Sequence, residues 1–193
     1  MWMHDGPNEV DFIMVPGWKG SGPEHWQSHW QQLLPGAKRL SVQSWDKPDP
    51  DDWIRSLDGM IRRARRPVVL IAHSLGCVTI AHWVECHGRE AALRVAGALL
   101  VAPADVERPG APDELRPFAP LPRTPLPFPA LILGSETDPT ASSRRVWQFG
   151  DWWGAETHIL GDVGHINTES GHRQWPEGMR WLARLPLAAG VNA

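Results

Sequence analysis

The chain has 193 residues, 42% of them hydrophobic and 21% charged, with a formal net charge of -3. That length suits one compact domain over residues 1–193, with enough core to stand without disulfides or metals. The near-neutral charge speaks against a nucleic-acid partner or a polybasic membrane binder.

The amino terminus carries Asp5 and Glu9 and offers no basic region followed by an apolar run of signal-peptide length. Residues 10–15 form a short apolar run closed by Pro16-Gly17 and predict a buried first strand. Ser21-Gly22-Pro23-Glu24 reads as a capping box, with Trp26, Trp30, Leu33 and Leu34 at helical spacing up to Pro35-Gly36. Residues 39–43 predict a weak second strand. Asp49 is placed as an N-cap with Pro50 in the first turn, and Trp53, Ile54, Leu57 and Ile61 make one apolar face before Pro67. The basic run Arg62, Arg63, Arg65 and Arg66 at that helix end is explained by the helix dipole and by solvation.

Residues 68–72 give the clearest strand, followed after a very short turn by a helix over 75–87 that stops at Gly88. Strands over 95–101 and 130–134 are again continuous apolar runs, as expected of parallel strands covered on both faces. The longest such run falls far short of the roughly 20 residues of a membrane-spanning helix. Helices over 142–153 and 174–185 flank a last strand over 156–160. About six strands alternating with helices make an α/β chain with a doubly wound, mostly parallel sheet. Residues 103–129 hold nine prolines. They predict a loop over the carboxyl edge of the sheet, either a stiff connector or a pocket wall.

Cys77 and Cys86 lie nine positions apart on one predicted helix, too far to pair locally, and both read as buried small apolar residues. Unpaired cysteines without an export signal fit a cytoplasmic protein, and no Cys/His cluster suggests zinc or another cofactor.

Chemistry enters at Ala72-His73-Ser74-Leu75-Gly76. The string small-x-Ser-x-Gly arises by chance in roughly one chain of this length in seven. Here it sits between the strongest strand and a convincing helix, the setting in which a serine at a sharp strand-to-helix turn is exposed as a nucleophile. A serine hydroxyl needs a base, and His165 is the candidate, in the glycine-rich segment Gly161-Asp162-Val163-Gly164-His165 after the last strand. His73 is expected to point away from the nucleophile, His4, His29 and His172 to be solvated, and His158 to be structural. Asp138 follows the strand over 130–134 and is the candidate acid; Asp105, after the preceding strand, is the alternative. Asp162 and Glu136 read as turn or surface charges. Two backbone amides are needed for the oxyanion: that of Leu75, and one from Pro16-Gly17-Trp18-Lys19-Gly20-Ser21-Gly22, assigned to Trp18. That loop lacks the spacing of a nucleotide-binding loop.

These motifs, with Val15-Pro16-Gly17-Trp18, Glu24-His25-Trp26, Asp138-Pro139, Gly164-His165-Ile166-Asn167-Thr168-Glu169-Ser170-Gly171 and Trp175-Pro176-Glu177-Gly178, resemble the small serine hydrolases similar to retinoblastoma-binding protein 9 and bacterial YdeN. The resemblance spans nearly the whole chain. It implies a minimal α/β-hydrolase with a short Pro-rich loop in place of a cap, and a triad on Ser74, Asp138 and His165. Retinoblastoma binding depends on an L-x-C-x-E motif that this sequence lacks. Gly17, His25 and Asn167 are candidate substrate contacts, with a surface position for His25, core packing for Trp26 and a brace for the His165 loop at Asn167 as the competing roles. The expected activity is hydrolysis of a small ester, thioester or amide, with a dormant binding protein and an acyltransferase as alternatives.

Overall fold

The computed structural model describes residues 10–188; the expectations for His4, Asp5 and Glu9 lie outside the described residues. Six strands form one parallel sheet in the order β2-β1-β3-β4-β5-β6. They are β1 (Asp11–Val15), β2 (Lys38–Arg39), β3 (Val68–His73), β4 (Val95–Val101), β5 (Ala130–Gly134) and β6 (Glu156–Ile159). The helices are α1 (Trp26–Leu33), α2 (Pro50–Arg63), α3 (Leu75–Ala91), α4 (Ser143–Trp153) and α5 (Pro176–Leu182).

Side chains alternate across each strand, so β1 sends Ile13 and Val15 to one face and Phe12 and Met14 to the other. The first face carries α2, α3 and α4 through Trp53, Leu57, Val78, Trp83, Val146 and Phe149. The second carries α1 and α5 through Trp26, Trp30 and Leu182. The division follows from handedness. Right-handed crossovers put helices on one face while the chain steps one way across the sheet, and on the other when it reverses. The chain steps from β1 to β2, then returns to lay β3 beside β1. The crevice at the carboxyl ends of β1 and β3 is therefore the switch point where α/β sheets hold their ligands.

Local signals were followed where they were local. Asp49 caps α2, its Oδ1 accepting from the amides of Asp51 and Asp52 at 2.8 and 3.3 Å. Gly88, at φ 69, breaks the helical geometry of α3. Tertiary contacts overrode the sequence pattern elsewhere. No helix starts at Ser21: its hydroxyl donates to Gln27 Oε1 at 2.6 Å, its carbonyl is taken by Arg39, and α1 begins with His25 as N-cap. Of the two leucines expected on the apolar face, Leu34 is buried and Leu33 is exposed. The second strand is Lys38–Arg39 rather than 39–43, because the Gln43 amide donates to Asp52 Oδ2 and turns the chain toward α2. The last helix is shorter than expected, starting at Pro176 behind a left-handed Trp175. Cys77 is buried as expected, but Cys86 is exposed. No described helix is long and apolar enough to cross a membrane.

The proline-rich stretch leaves β4 at the carboxyl edge and returns to start β5, filling the place of a crossover helix. It contains a 3-10 helix, Asp113–Phe118, and sinks Leu115, Phe118, Leu121, Leu126 and Phe128 into the core. The Phe118 ring stands edge-on to Trp53 at 5.8 Å, its carbonyl is bonded to His82 Nε2 at 2.8 Å, and Trp153 Nε1 donates to the Pro122 carbonyl at 2.9 Å. The stretch is thus a layer of the core and not merely a stiff connector. Phe118→Ala is expected to lower stability by about 3–5 kcal/mol in urea unfolding, the range for an emptied buried aromatic site.

Candidate active site

At the end of β3 the chain turns within one residue. Ser74 has φ 54 and ψ -120, and α3 starts immediately after it. Such a backbone costs about 1–3 kcal/mol and persists only where its surroundings dictate it. Here the Ser74 amide donates to the Val101 carbonyl at 3.0 Å, and its own carbonyl accepts from the Cys77 amide at 3.0 Å. Two glycines permit the packing around it. A β-carbon at Gly76 would lie 2.1 Å from the Val15 carbonyl oxygen, and one at Gly17 would lie 2.7 Å from Ser74 Cβ and 3.3 Å from the Leu75 nitrogen. The loop after β1 therefore lies directly on the start of α3. The amides of Trp18 and Leu75 have no hydrogen-bond partner among the described residues. The loop is pinned from outside, with the Lys19 amide donating to the Trp45 carbonyl at 3.0 Å and Trp18 Nε1 to the Asp46 carbonyl at 3.0 Å.

The segment after β6 brings His165 to this edge, its Nε2 3.0 Å from Ser74 Oγ. His165 Nδ1 lies 2.9 Å from Asp138 Oδ2 and 3.0 Å from Oδ1. A carboxylate only accepts, so Nδ1 carries the ring proton and Nε2 presents a lone pair to the Ser74 hydroxyl. The Thr140 amide donates to Asp138 Oδ1 at 2.7 Å, and Thr140 Oγ1 stands 3.2 Å from His165 Nδ1. Asp105 is occupied elsewhere: Arg145 Nε is 3.1 Å from its Oδ2, and the Glu107 amide donates to its Oδ1. Asp162 accepts from Thr137 Oγ1 at 2.6 Å, while Glu136 is exposed.

Asn167 acts as a brace. Its Oδ1 accepts from the Ser170 amide at 3.0 Å, and its own amide donates to Ser170 Oγ. Trp26 is fully buried, and its Nε1 donates to the Ile166 carbonyl at 2.9 Å. His25 is buried rather than superficial; its Nδ1 accepts from the Gln27 amide at 3.2 Å, and its Nε2 has no hydrogen-bond partner among the described residues. His29 and His172 are half-buried rather than solvated. His158 sits in β6 and pairs with Glu156.

Sequence reasoning missed two residues. Gln27 is fully buried and its Nε2 donates to the Ile71 carbonyl at 2.9 Å and the Val15 carbonyl at 3.3 Å, tying together the ends of β3 and β1. A glutamine two positions into a helix carries no sequence signal for that role. His73 points to the α1 side of the sheet, but the His165 segment folds over that same side. His73 Nε2 donates to the His165 carbonyl at 2.9 Å. Burial first, then the neighbouring His165 and His25, hold the His73 imidazole well below its usual pKa. Burial, reinforced by the Arg39 guanidinium and the nearby His165 and His172, pushes His25 down to about 3. Both rings are thus neutral near pH 7. No cluster of three or more His, Cys, Asp or Glu suited to a metal occurs among the described residues.

Two outcomes follow from this packing. Gly76→Ala is expected to lose about 3 kcal/mol or more, because the clash is with backbone, while Gly22→Ala, with nothing within 4 Å of its added carbon, stays within about 0.5 kcal/mol of wild type in the same unfolding assay. His25 has a folded pKa far below the 6.5 of a free imidazole. The stability that depends on its neutral form is complete above about pH 6.5 and drains away as pH falls toward 3. His25→Asn keeps a capping side chain and removes the titration. It should lose about 2 kcal/mol less than wild type between pH 7.5 and 5, by urea melts at both values.

The family model described as serine hydrolase matches residues 12–184. A protein described as a YdeN-like hydrolase, from Pectobacterium atrosepticum, is 32% identical, with 92% of this chain and 90% of that one covered and a TM-score of 0.79. The ydeN product of Bacillus subtilis is 17% identical over 91% of this chain and 98% of that one, at a TM-score of 0.68. The RedJ thioesterase of Streptomyces coelicolor shares the fold at 13% identity and a TM-score of 0.62, with 91% and 88% covered. No curated protein sequence matches the chain. Model, relative and sheet topology agree: the chain belongs to the serine hydrolase family, on the α/β-hydrolase fold.

Proposed function

We propose that this hydrolase works through an acyl-enzyme on Ser74 and cleaves a small ester, thioester or amide in the manner of a carboxylesterase. The observation that carries the reading is the unbroken chain Ser74 Oγ to His165 Nε2 to Asp138, at 3.0 and 2.9 Å. In the first half, Ser74 Oγ bonds to the carbonyl carbon while its proton passes to His165 Nε2. Asp138 stabilises the imidazolium that results. The carbonyl oxygen takes the negative charge and is received by the amides of Leu75 and Trp18, at the positive end of α3. Collapse breaks the bond to the leaving group, which takes the proton from His165. In the second half water repeats the sequence: His165 takes its proton, its oxygen bonds to the acyl carbon, and Ser74 leaves with the proton returned.

Gly17 supports the reading as the residue whose missing side chain lets the donor loop reach Ser74. Asn167 is better accounted for as a structural residue than as a substrate contact, since its side chain is spent on Ser170; His25 caps α1 through Nδ1, while its Nε2 has no hydrogen-bond partner among the described residues.

A fluorophosphonate probe is expected to label the wild type and to leave Ser74→Ala unlabelled. Asp138→Asn should lower kcat on a short p-nitrophenyl ester by about 10⁴-fold, while Asp105→Asn stays within about threefold. Equal labelling of wild type and Ser74→Ala, or the larger loss falling on Asp105→Asn, would overturn the assignment. A panel of acyl esters of graded length beside aminoacyl amides then separates esterase from peptidase.

A further inference from the structure

The base itself has to be held, and the backbone that holds it is strained. Ile166, the residue after His165, is β-branched, fully buried and at φ 47. A β-branched residue in that region is an outlier that the local chain does not choose. Two buried rings reach the consecutive carbonyls at this point. His73 Nε2–H donates to the His165 carbonyl at 2.9 Å, and Trp26 Nε1–H donates to the Ile166 carbonyl at 2.9 Å.

The two donors come from independent rigid elements, His73 from the end of β3 and Trp26 from the first turn of α1. Each is itself fixed. The His73 ring stands edge-on to His25 at 4.8 Å and to Trp26 at 6.0 Å, and Trp26 stands edge-on to Trp30 and Trp175 at 4.6 and 5.3 Å. From the other side the His165 ring is held by Asp138, Thr140 and Ser74. We propose that His73 and Trp26 are positioning residues, a two-point clamp that holds the strained His165–Ile166 backbone in place and so aims His165 Nε2 at the Ser74 hydroxyl. The inference rests on the proposed triad and adds to it the residues that make its geometry permanent.

A clamp of this kind is specific about reach. Glutamine can place its amide nitrogen where His73 Nε2 stands; asparagine is one bond too short. With p-nitrophenyl acetate as substrate, His73→Ala and His73→Asn are expected to lower kcat about tenfold or more with KM within about threefold, and His73→Gln to recover to within about threefold of wild type. Trp26→Phe keeps the ring packing and removes the donor; it should lower kcat to a similar extent. The double variant Trp26→Phe/His73→Ala should lose less than the product of the single losses, because both act on one segment. Thermal melts of each variant separate unfolding from mispositioning, and Trp26→Phe with His73→Gln carries the test should His73→Ala not fold. Wild-type kcat in folded Trp26→Phe, or equal loss in His73→Gln and His73→Asn, would overturn the clamp. An inert wild type overturns the triad and the clamp with it; an active wild type with full-rate variants overturns the clamp alone.

Discussion

The carboxyl edge of this sheet is organised by one backbone approach, the first turn of α3 seated on the last carbonyls of β1. With only 2.1 Å between the position of a Gly76 β-carbon and the Val15 oxygen, no other residue type fits without moving the sheet or the helix. Once α3 is seated there, the chain has a single residue in which to change from extended to helical, and that residue is Ser74. Its positive φ is therefore a product of where the helix must begin. The same approach brings the loop after β1 against the Leu75 amide, so the strained turn at Ser74 and the loop that meets it are two results of one packing constraint. Gln27 secures it from the α1 side by bonding the carbonyls at the ends of β1 and β3.

Strain is not spread evenly. Of the five non-glycine residues described at positive φ, Lys19 follows β1, Ser74 follows β3, Ala102 follows β4 and Ile166 follows β6. All four lie at the edge that carries the site, and each is pinned by a bond from a neighbouring segment: Lys19 to Trp45, Ser74 to Val101, Ala102 to Leu133, and Ile166 to Trp26. At about 1–3 kcal/mol each, such conformations together approach the net stability of a domain of this size. The two-faced core beneath, with five fully buried tryptophans in Trp26, Trp30, Trp53, Trp83 and Trp153, is what offsets them.

What was legible in the sequence was what depends on neighbours along the chain. β3, β4 and β5 are continuous apolar runs because both faces are covered, and α2 announces itself through Asp49, Pro50 and its apolar stripe. The sharp turn at Ser74 and the places of Asp138 and His165 could be read because the three lie in the loops after β3, β5 and β6, at one edge of the sheet. The start of α1 could not, since it is decided by Ser21 meeting Gln27 and Arg39, and neither could the length of β2, decided by Gln43 meeting Asp52. The proline-rich stretch hid its role for another reason. A segment that enters the core without regular structure has no period to detect, although Leu115, Phe118, Leu121, Leu126 and Phe128 between the prolines were its trace. His73 faces the α1 side of the sheet, as strand alternation predicts. Its importance comes from a segment ninety residues later that folds over that face.

The chemistry of the clamp also explains why imidazole and indole suit these two positions better than longer, charged donors. Under the proposed mechanism His165 becomes positively charged each time Ser74 is deprotonated, and the His73 ring lies 4.8 Å from it. A lysine or arginine there would offer a stronger hydrogen bond to the His165 carbonyl, but a fixed positive charge at that distance in a buried setting would oppose the charge the mechanism has to create. A neutral imidazole provides the bond without the repulsion. Burial holds both His73 and His25 in that neutral state, so the same core that supports the strained edge also keeps the surroundings of His165 free of competing charge.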